Sequence, residues 1–262
     1  MSLFSRFRIH RQVATYTSVE VSEKNGVRYL HLGSDTIQSA MRLSRPNDLE
    51  LSYTRCMMAF LLFVPPPARV VMIGLGGGSL ARFIYQRMPG TLITAVEINP
   101  QVIAAARQFF ELPDDPGRLE VVVSDGHEYV RGVAACPDAL MVDGFGIDGG
   151  APELATTAFY TDCASALSEN GVLVTNLFTR EKELDGHLHL LDRIFERRVL
   201  RLRDEQRGNL ITLAFVRGQE EPPWKTLRHR AKLLAEAYGL EFPAFVDELK
   251  LMNPHDSRRL FI

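Results

Sequence analysis

The sequence predicts an α/β fold, in which a doubly wound and mostly parallel sheet follows a small β unit. The first observation is an apolar, β-branched run over residues 70–73 that stops at the glycines of 74–78. A buried strand that turns tightly onto a helix has this pattern. The second is the alternation of strand and helix patterns after the prolines at 65–67. The third is Asn25-Gly26 between two alternating runs, the strongest short signal for a β-hairpin.

In chain order, the first part is expected to span residues 1–64. It holds the hairpin, within the alternating stretch 13–33, and a lead-in helix. The apolar stretch 56–64 is too short to span a bilayer, and we interpret it as a buried helix. A Rossmann-like domain is expected over 65–218. Residues 219–262 carry apolar side chains at helical spacing and predict a helical tail that packs on the domain or across a dimer.

Strand and helix patterns alternate through the predicted Rossmann-like domain. The expected strands cover residues 70–73, 91–97, 119–124, 139–142 and 171–176, with a closing pair at 199–203 and 210–216. Later helices are expected over 156–168 and 185–198. Asn99 can cap the helix after the second strand, with Pro100 in its first turn. Arg201 and Arg203 alternate onto the outer face of an edge strand, where charges discourage pairing with other chains.

The glycine-rich turn after the first of these strands indicates a bound nucleoside. The turn contains Gly74, Gly76, Gly77 and Gly78. Glycines there let a ligand lie against bare backbone. Glu97 ends the next strand at roughly the 20-residue distance from the turn at which an acid binds the hydroxyls of a ribose. Turn and acid together predict a nucleoside-containing ligand.

The spacing of the glycines favours one class of nucleoside ligand. The dinucleotide fingerprint is G-x-G-x-x-G, and here Ser79 stands where the third glycine belongs. The pattern G-x-G-G-G is typical of folds that bind S-adenosylmethionine, a ligand without a pyrophosphate. A nicotinamide or flavin cofactor, or a packing turn without any ligand, remain as alternatives.

Two further acids follow predicted strands on the same sheet. Asp125, followed by Gly126, ends the strand that begins at residue 119, and Asp143 ends the strand that begins at residue 139. Ligands of open α/β sheets bind outside the carboxyl ends of the parallel strands. We therefore expect Asp125 and Asp143 to join Glu97 and the glycine turn at one edge of the sheet.

Composition excludes several other classes of function. A formal net charge of −2 gives no electrostatic case for nucleic-acid binding. The cysteines (Cys56, Cys136 and Cys163) have neither metal spacing nor an obvious disulfide pattern, which favours a reducing cytoplasm. The first residues lack the apolar core of a signal peptide, and no membrane association is expected. His187 and His189 lie two apart and cannot share a metal from one helix face, so no metal is expected.

The ordered motifs of the chain resemble the spermidine/spermine synthase (polyamine aminopropyltransferase) family over roughly residues 13–217. The motifs are Thr36-Ile-Gln38, Tyr53, Ile73 to Ser79, Val96 to Pro100, Asp125-Gly126, Val142-Asp143, Pro152, Leu154, Phe159-Tyr160 and Gly171 to Val174. The resemblance implies an N-terminal β unit over a Rossmann-like domain, often as a homodimer. It also implies that decarboxylated S-adenosylmethionine donates an aminopropyl group to a small-molecule acceptor such as a polyamine.

The resemblance also implies a role for each motif residue. The donor-binding residues would be Gln38, Gly74, Gly76, Gly77, Gly78, Glu97, Ile98, Asp125 and Gly126, with Glu97 on the ribose and Asp125 on the adenine amine. Tyr53 would contact the acceptor, and Asp143 would lie nearest the reacting centre. The chemistry suits an acid there, because an amine of pKa about 10 is mostly protonated at neutral pH. A nearby carboxylate can take that proton and orient the lone pair.

Three positions depart from the family pattern. Gly77 stands where the family has an acid that binds the donor's aminopropyl ammonium, and Gly146 replaces a second acid of the catalytic loop. Asp148, two residues further, is the candidate replacement and acceptor-binding residue. Arg55 has the wrong sign for a polyamine site. Each lost charge-assisted contact weakens recognition by about 1.5–3 kcal/mol.

These departures leave the donor and the reaction open. Without an acid at position 77, the carboxylate of ordinary S-adenosylmethionine meets less repulsion. The alternatives to aminopropyl transfer are therefore an S-adenosylmethionine-dependent methyltransferase acting on a small molecule, and a relative that binds adenosyl ligands without turnover.

Overall fold

A computed structural model of the chain describes residues 7–12, 18–133, 136–144, 154, 156–180, 183–204, 208–218 and 221–262. The predictions made for Gly146, Asp148 and Pro152 fall outside these residues.

The N-terminal part is an antiparallel sheet of strand order β1-β2-β3-β4. Its strands are β1 (Phe7–Gln12), β2 (Val19–Lys24), β3 (Val27–Leu32) and β4 (Ile37–Arg42). The predicted hairpin at Asn25-Gly26 is confirmed, and both residues have the positive φ that a tight two-residue turn requires, 53° and 72°. One face of the sheet packs on the helix that follows Asn99, through Val102 and Phe110. β1 and β4 extend the sheet beyond the predicted hairpin.

The central sheet has the strand order β10-β11-β9-β8-β5-β6-β7. Its strands are β5 (Arg69–Ile73), β6 (Leu92–Glu97), β7 (Leu119–Val123), β8 (Ala139–Val142), β9 (Val172–Phe178), β10 (Val199–Asp204) and β11 (Asn209–Phe215). Strands β5 to β9 run parallel, whereas β11 is antiparallel to both of its neighbours. The strand order reverses between β5 and β8, so the carboxyl ends of these two strands lie side by side at the point where open α/β sheets bind ligands.

Helices cover both faces of the central sheet, which confirms the predicted doubly wound fold. They are α1 (Ser52–Met57), a 3₁₀ helix (Met58–Leu62), α2 (Ser79–Arg87), α3 (Pro100–Phe109), α4 (Gly126–Gly132), α5 (Thr157–Ala166), α6 (Leu184–Ile194), α7 (Trp224–Tyr238) and α8 (Phe242–Met252). Alternate residues of β5 enter different cores: Val70 and Met72 on one face, Val71 and Ile73 on the other. A strand buried on both faces reads as the continuous apolar run seen in the sequence.

Local signals in the sequence set the helix starts. Asn99 caps α3 by accepting a hydrogen bond from the Gln101 amide, and Pro100 is the first helical residue, as predicted. Asp125 caps α4 by accepting from the Glu128 amide at 2.9 Å. Each cap fixes the backbone direction just after a strand end, where the predicted ligand-binding residues lie.

The C-terminal helices cover one edge of the central sheet. Buried side chains of α7 and α8, among them Leu227 and Leu249, belong to the same apolar core as the 3₁₀ helix and β10. The side chain of Asn253 accepts a hydrogen bond from the Arg201 amide and donates one to the Arg201 carbonyl. It therefore pairs with backbone groups of Arg201 on the edge strand β10. Among the described residues, no helix has both the length and the apolar character needed to cross a bilayer.

Candidate active site

The glycine turn joins the carboxyl ends of β5 and β8. Gly74 has a φ of +93°, and a Cβ there would lie 2.5 Å from the carbonyl oxygen of Asp143. Its amide donates to the Val96 carbonyl at 2.8 Å, while the Asp143 amide donates to the Ile73 carbonyl at 2.9 Å. Only glycine fits this position, because both the backbone conformation and the close approach exclude a side chain.

The space beside Gly77 is filled by other parts of the chain. A Cβ at this position would lie 2.9 Å from Cβ of Ser39 on β4 and 3.0 Å from the Phe110 ring. The Gly77 amide also donates to Oγ of Ser39 at 2.8 Å. The N-terminal sheet therefore closes directly onto the turn, at the position where the family pattern carries an acid.

A buried arginine, Arg82, forms hydrogen bonds with the same turn. Arg82 of α2 is only 2 % exposed, and its guanidinium donates to the backbone carbonyls of Pro46, Gly77 and Phe110. Burial lowers the pKa of Arg82 to about 10, so the group stays protonated at neutral pH. One side chain thus ties three separate segments together around the glycine turn.

Glu97 holds the rim of the turn from the end of β6. Its Oε2 accepts from the Leu75 amide at 3.1 Å, and its Oε1 accepts from the Asn99 amide at 2.9 Å. A carboxylate can accept about four hydrogen bonds, so two backbone amides leave acceptor capacity for hydroxyl groups. This geometry can both shape the turn and receive a ribose.

Apolar and acidic side chains end the next two strands. Ile98 after β6 is 58 % exposed and Val123 at the end of β7 is 59 % exposed, which is unusual for large aliphatic residues in this chain. Asp125 follows as the cap of α4, and a Cβ at Gly126 would lie 2.4 Å from Cγ2 of Ile73, so α4 starts tightly against β5.

Asp143 receives two side-chain hydrogen bonds at the carboxyl end of β8. Asn176 of β9 donates from Nδ2 to Oδ1 at 2.8 Å, and the Tyr53 hydroxyl of α1 donates to Oδ2 at 3.1 Å. The structure thus brings together two residues predicted for the site, Tyr53 and Asp143. Asn176 was not predicted, although it ends an expected strand next to the one that carries Asp143.

Burial sets the proton affinity of Asp143. It raises the pKa of this carboxyl group from 3.8 to about 6, against the hydrogen bonds from Asn176 and Tyr53, which lower it. At neutral pH the group is mostly ionised. Its pKa is nevertheless about two units closer to that of an amine than the pKa of an exposed aspartate, which suits a proton acceptor.

Tyr53 and Asp143 line one cleft, and the backbone of Gln38 lies next to Tyr53. The Tyr53 hydroxyl lies 3.4 Å from the Gln38 carbonyl oxygen. The cleft is narrow, with a cavity volume of about 20 Å³, and its lining includes Ser39, Tyr53, Gly74, Leu75, Ser79 and Asp143. Strand β4, helix α1, the turn and β8 therefore all contribute to the same space.

Arg55 does not bring its charge into this cleft. Its guanidinium donates to the Glu241 carboxylate at 2.8 and 3.1 Å and to the carbonyls of Leu49 and Glu50. Arg55 is thus paired with the C-terminal part of the chain, and its wrong sign for a polyamine site stays a prediction. Within the described ranges, no group of three or more His, Cys, Asp or Glu could hold a metal ion.

The strand order is that of the Rossmann-like fold of S-adenosylmethionine-dependent methyltransferases. Residues 50–191 match the spermine/spermidine synthase domain family. The chain belongs to this family.

Individual relatives agree with this assignment. A polyamine aminopropyltransferase of Chromobacterium violaceum is 44 % identical over 257 residues, which cover 98 % of each chain. A probable spermidine synthase of Corynebacterium glutamicum has the same fold, with a TM-score of 0.73, 19 % identity and coverage of 95 % of this chain and 96 % of that one. Human methyltransferase-like protein 13, solved in complex with SAH, superposes with a TM-score of 0.64 and 26 % identity over 79 % of this chain and 96 % of that one.

Proposed function

We propose that this protein transfers the aminopropyl group of decarboxylated S-adenosylmethionine to a small amine, with a polyamine as the acceptor. The observation that carries the proposal is Asp143, a carboxylate with a raised pKa held at the carboxyl edge of the sheet beside the glycine turn. The near full-length similarity to a protein named polyamine aminopropyltransferase supports the same reaction.

The donor would lie across the carboxyl ends of β5, β6 and β7. The turn at Gly74 and Gly76 would pass beneath its sulfonium end, and Glu97 would accept hydrogen bonds from the ribose hydroxyls. The exposed Ile98 would offer an apolar surface for the adenine, and Asp125 and Gly126 at the start of α4 would bind its amino group. Gln38, from β4, would close the nucleoside from the other side.

Asp143 would prepare the acceptor for an in-line displacement. The acceptor arrives as an ammonium and gives one proton to the carboxylate, which frees the nitrogen lone pair. The nitrogen then bonds to the propyl carbon while the carbon–sulfur bond breaks, and the sulfur leaves with the electron pair as a neutral thioether. The raised pKa of Asp143 narrows the gap to an amine of pKa about 10 from roughly six units to four, and one unit corresponds to about 1.4 kcal/mol.

The acceptor would enter on the side of α1. The Tyr53 hydroxyl lies against Asp143 and borders the cleft, so it can contact the amine that Asp143 deprotonates. The negative charge of Asp143 also attracts a cationic acceptor. Asp148 stays a prediction for this subsite, since it lies outside the described residues.

Methyl transfer from S-adenosylmethionine is the second candidate, and the closure at Gly77 favours it. The space in which an acid would bind an aminopropyl ammonium is occupied by Ser39 and Phe110. A donor that carries a carboxylate instead would meet no opposing charge at that position.

Calorimetric titration with decarboxylated S-adenosylmethionine and, separately, with S-adenosylmethionine tests the two candidates. Tighter binding of the decarboxylated donor, followed by an aminopropylated product in a screen of diamines and polyamines, is the expected result. A methylated product would select the second candidate, and binding of neither donor at millimolar concentration would contradict both. Asp143→Asn should abolish turnover. Asp192→Asn, which removes a carboxylate on α6 that pairs with Arg201 of β10, should not.

The compartment and the oligomeric state belong to the same proposal. We expect a cytoplasmic homodimer, as the cysteine usage and the family resemblance suggested. Light scattering coupled to size exclusion measures the mass in solution, and a monomeric mass at micromolar concentration would contradict the dimer.

A further inference from the structure

Two buried polar residues face each other at the end of the β10–β11 hairpin. Asp204 and Asn209 are cross-strand partners, 3 % and 2 % exposed. Burying such groups is costly unless they form hydrogen bonds. Asn209 binds Asn176, which donates to Asp143. Asp204 binds Ser52, the neighbour in sequence of Tyr53, which also donates to Asp143.

The first connection runs from Asn209 through Asn176. Asn209 donates from Nδ2 to Oδ1 of Asn176 at 2.8 Å, and Asn176 donates from Nδ2 to Asp143 at 2.8 Å. Because the carbonyl of Asn176 is occupied by Asn209, its amide nitrogen is the group that faces the carboxylate. The opposite orientation would place two oxygens against each other.

The second connection runs from Asp204 through the start of α1. Ser52 donates from Oγ to Oδ2 of Asp204 at 2.7 Å. The next residue is Tyr53, whose hydroxyl donates to Asp143. Both oxygens of Asp143 are therefore held by donors that are anchored on the same pair of cross-strand partners.

We propose that the end of the β10–β11 hairpin positions the reacting carboxylate, with Asn209 acting through Asn176 and Asp204 acting through Ser52 and Tyr53. The inference rests on the proposed role of Asp143 as proton acceptor. Neither Asn209 nor Asp204 lines the cleft. They are positioning residues.

The Asn209 connection has a measurable electrostatic consequence. A hydrogen bond to an ionised carboxylate stabilises the charged form and lowers its pKa. Loss of Asn209 frees the Asn176 amide to turn, which weakens that bond and raises the pKa of Asp143 further. Among the described residues, the titratable groups of this network besides Asp143 are Tyr53, which donates to Asp143, and Asp204, the cross-strand partner of Asn209. The substitution alters neither side chain.

Asn209→Ala is the test, with Thr212→Val as its matched control. Thr212 lies on the same strand, is 0 % exposed and forms a 2.6 Å hydrogen bond with Thr175 on β9, but this pair does not touch Asp143. Both variants lose one buried hydrogen bond between the same two strands. They differ in whether that bond leads to the carboxylate.

In Asn209→Ala we expect the acid limb of kcat/KM to move up by about half a pH unit to one unit, with a roughly three- to tenfold loss below the midpoint. Thr212→Val should keep the wild-type midpoint. Adding Asn209→Ala to Asn176→Ala should cost no further activity, because the connection is already broken. An unchanged midpoint in Asn209→Ala, or additive losses in the double variant, would overturn the proposal.

A second readout does not depend on turnover. Carbon-13 NMR of protein labelled at aspartate carboxyls follows the titration of Asp143, assigned by the signal missing in Asp143→Asn. If Asn209→Ala shifts this titration while Asp143→Asn retains activity, the positioning is correct and the role of Asp143 as proton acceptor fails. If Asn209→Ala does not fold, Asn209→Ser, which keeps a hydroxyl donor on a shorter side chain, is used for both measurements.

Discussion

Gly74 and Asp143 touch through their backbones, since a Cβ on Gly74 would lie 2.5 Å from the Asp143 carbonyl oxygen. The turn that would carry the donor and the carboxylate that would activate the acceptor therefore share one junction between neighbouring parallel strands. A small displacement at either residue moves the other. The two halves of the proposed reaction are coupled by packing, not by a flexible loop.

The close contact between Gly74 and Asp143 predicts that a single methyl group at position 74 destabilises the fold and weakens donor binding. Gly74→Ala forces both a left-handed backbone on a non-glycine residue and a clash with Asp143, so we expect a loss of stability of about 1–3 kcal/mol and weaker donor binding. Gly90→Ala is the control, because its Cβ would meet nothing within 4 Å. Urea unfolding and donor calorimetry measure both variants, and equal behaviour of the two would refute the close contact.

The raised pKa of Asp143 predicts the pH dependence of turnover. The carboxylate must be ionised to accept a proton, so kcat/KM should rise with pH through a midpoint near pH 6. A midpoint near pH 4, the usual value for an exposed aspartate, would show that burial does not control this group. The rate is measured at saturating donor and limiting acceptor, so that the profile reports the carboxylate in the enzyme–donor complex before the acceptor binds.

The same pKa predicts that removing the charge stabilises the fold. A carboxyl group whose pKa is higher in the folded state contributes stability at pH below its unfolded value of 3.8, and this contribution is lost as the pH rises through about 6. Asp143→Asn should therefore raise the free energy of unfolding by about 1–2 kcal/mol at pH 7 and by much less at pH 4. Denaturant unfolding at the two pH values measures it. Destabilisation at pH 7 would argue that the hydrogen bonds outweigh the burial.

The closure at Gly77 predicts the outcome of restoring an acid there. Gly77→Asp should cost about 1–3 kcal/mol, because its side chain must displace Ser39 and the Phe110 ring. Combining it with Ser39→Gly should recover part of that loss. Donor titration of the double variant then shows whether an acid at this position shifts preference toward the decarboxylated donor, and an unchanged preference would remove the argument for methyl transfer.

The three hydrogen bonds of Arg82 predict that this side chain stabilises the glycine turn. Arg82→Lys keeps the charge but cannot reach three carbonyls with a planar fork, so we expect a loss of about 2–4 kcal/mol in stability and weaker donor binding. Arg45→Lys, an exposed arginine paired only weakly with Asp48, serves as the control and should change stability by less than about 0.5 kcal/mol. A similar small loss in Arg82→Lys would show that the turn is stable without this brace.

Local patterns in the sequence determined much of the fold. The hairpin at Asn25-Gly26, the strand that ends at the glycine turn and the Asn99 cap each depend on residues close together in the chain. Strand-end acids could be assigned to one edge because parallel strands place their carboxyl ends together. That is why the sequence alone predicted that Glu97 and Asp143 lie at the same edge of the sheet.

What surrounds those acids was decided by the tertiary structure. Asn209 and Asn176 are 33 residues apart in sequence, Ser39 meets Gly77 across 38, and Arg55 meets Glu241 across 186. No local periodicity encodes such pairs, because their partners are chosen by how the N-terminal sheet, the hairpin and the C-terminal helices pack. The sequence alone determined which carboxylates reach the sheet edge. Only packing decided how buried Asp143 is, that Asn176 and Tyr53 donate to it, and that Ser39 and Phe110 crowd position 77.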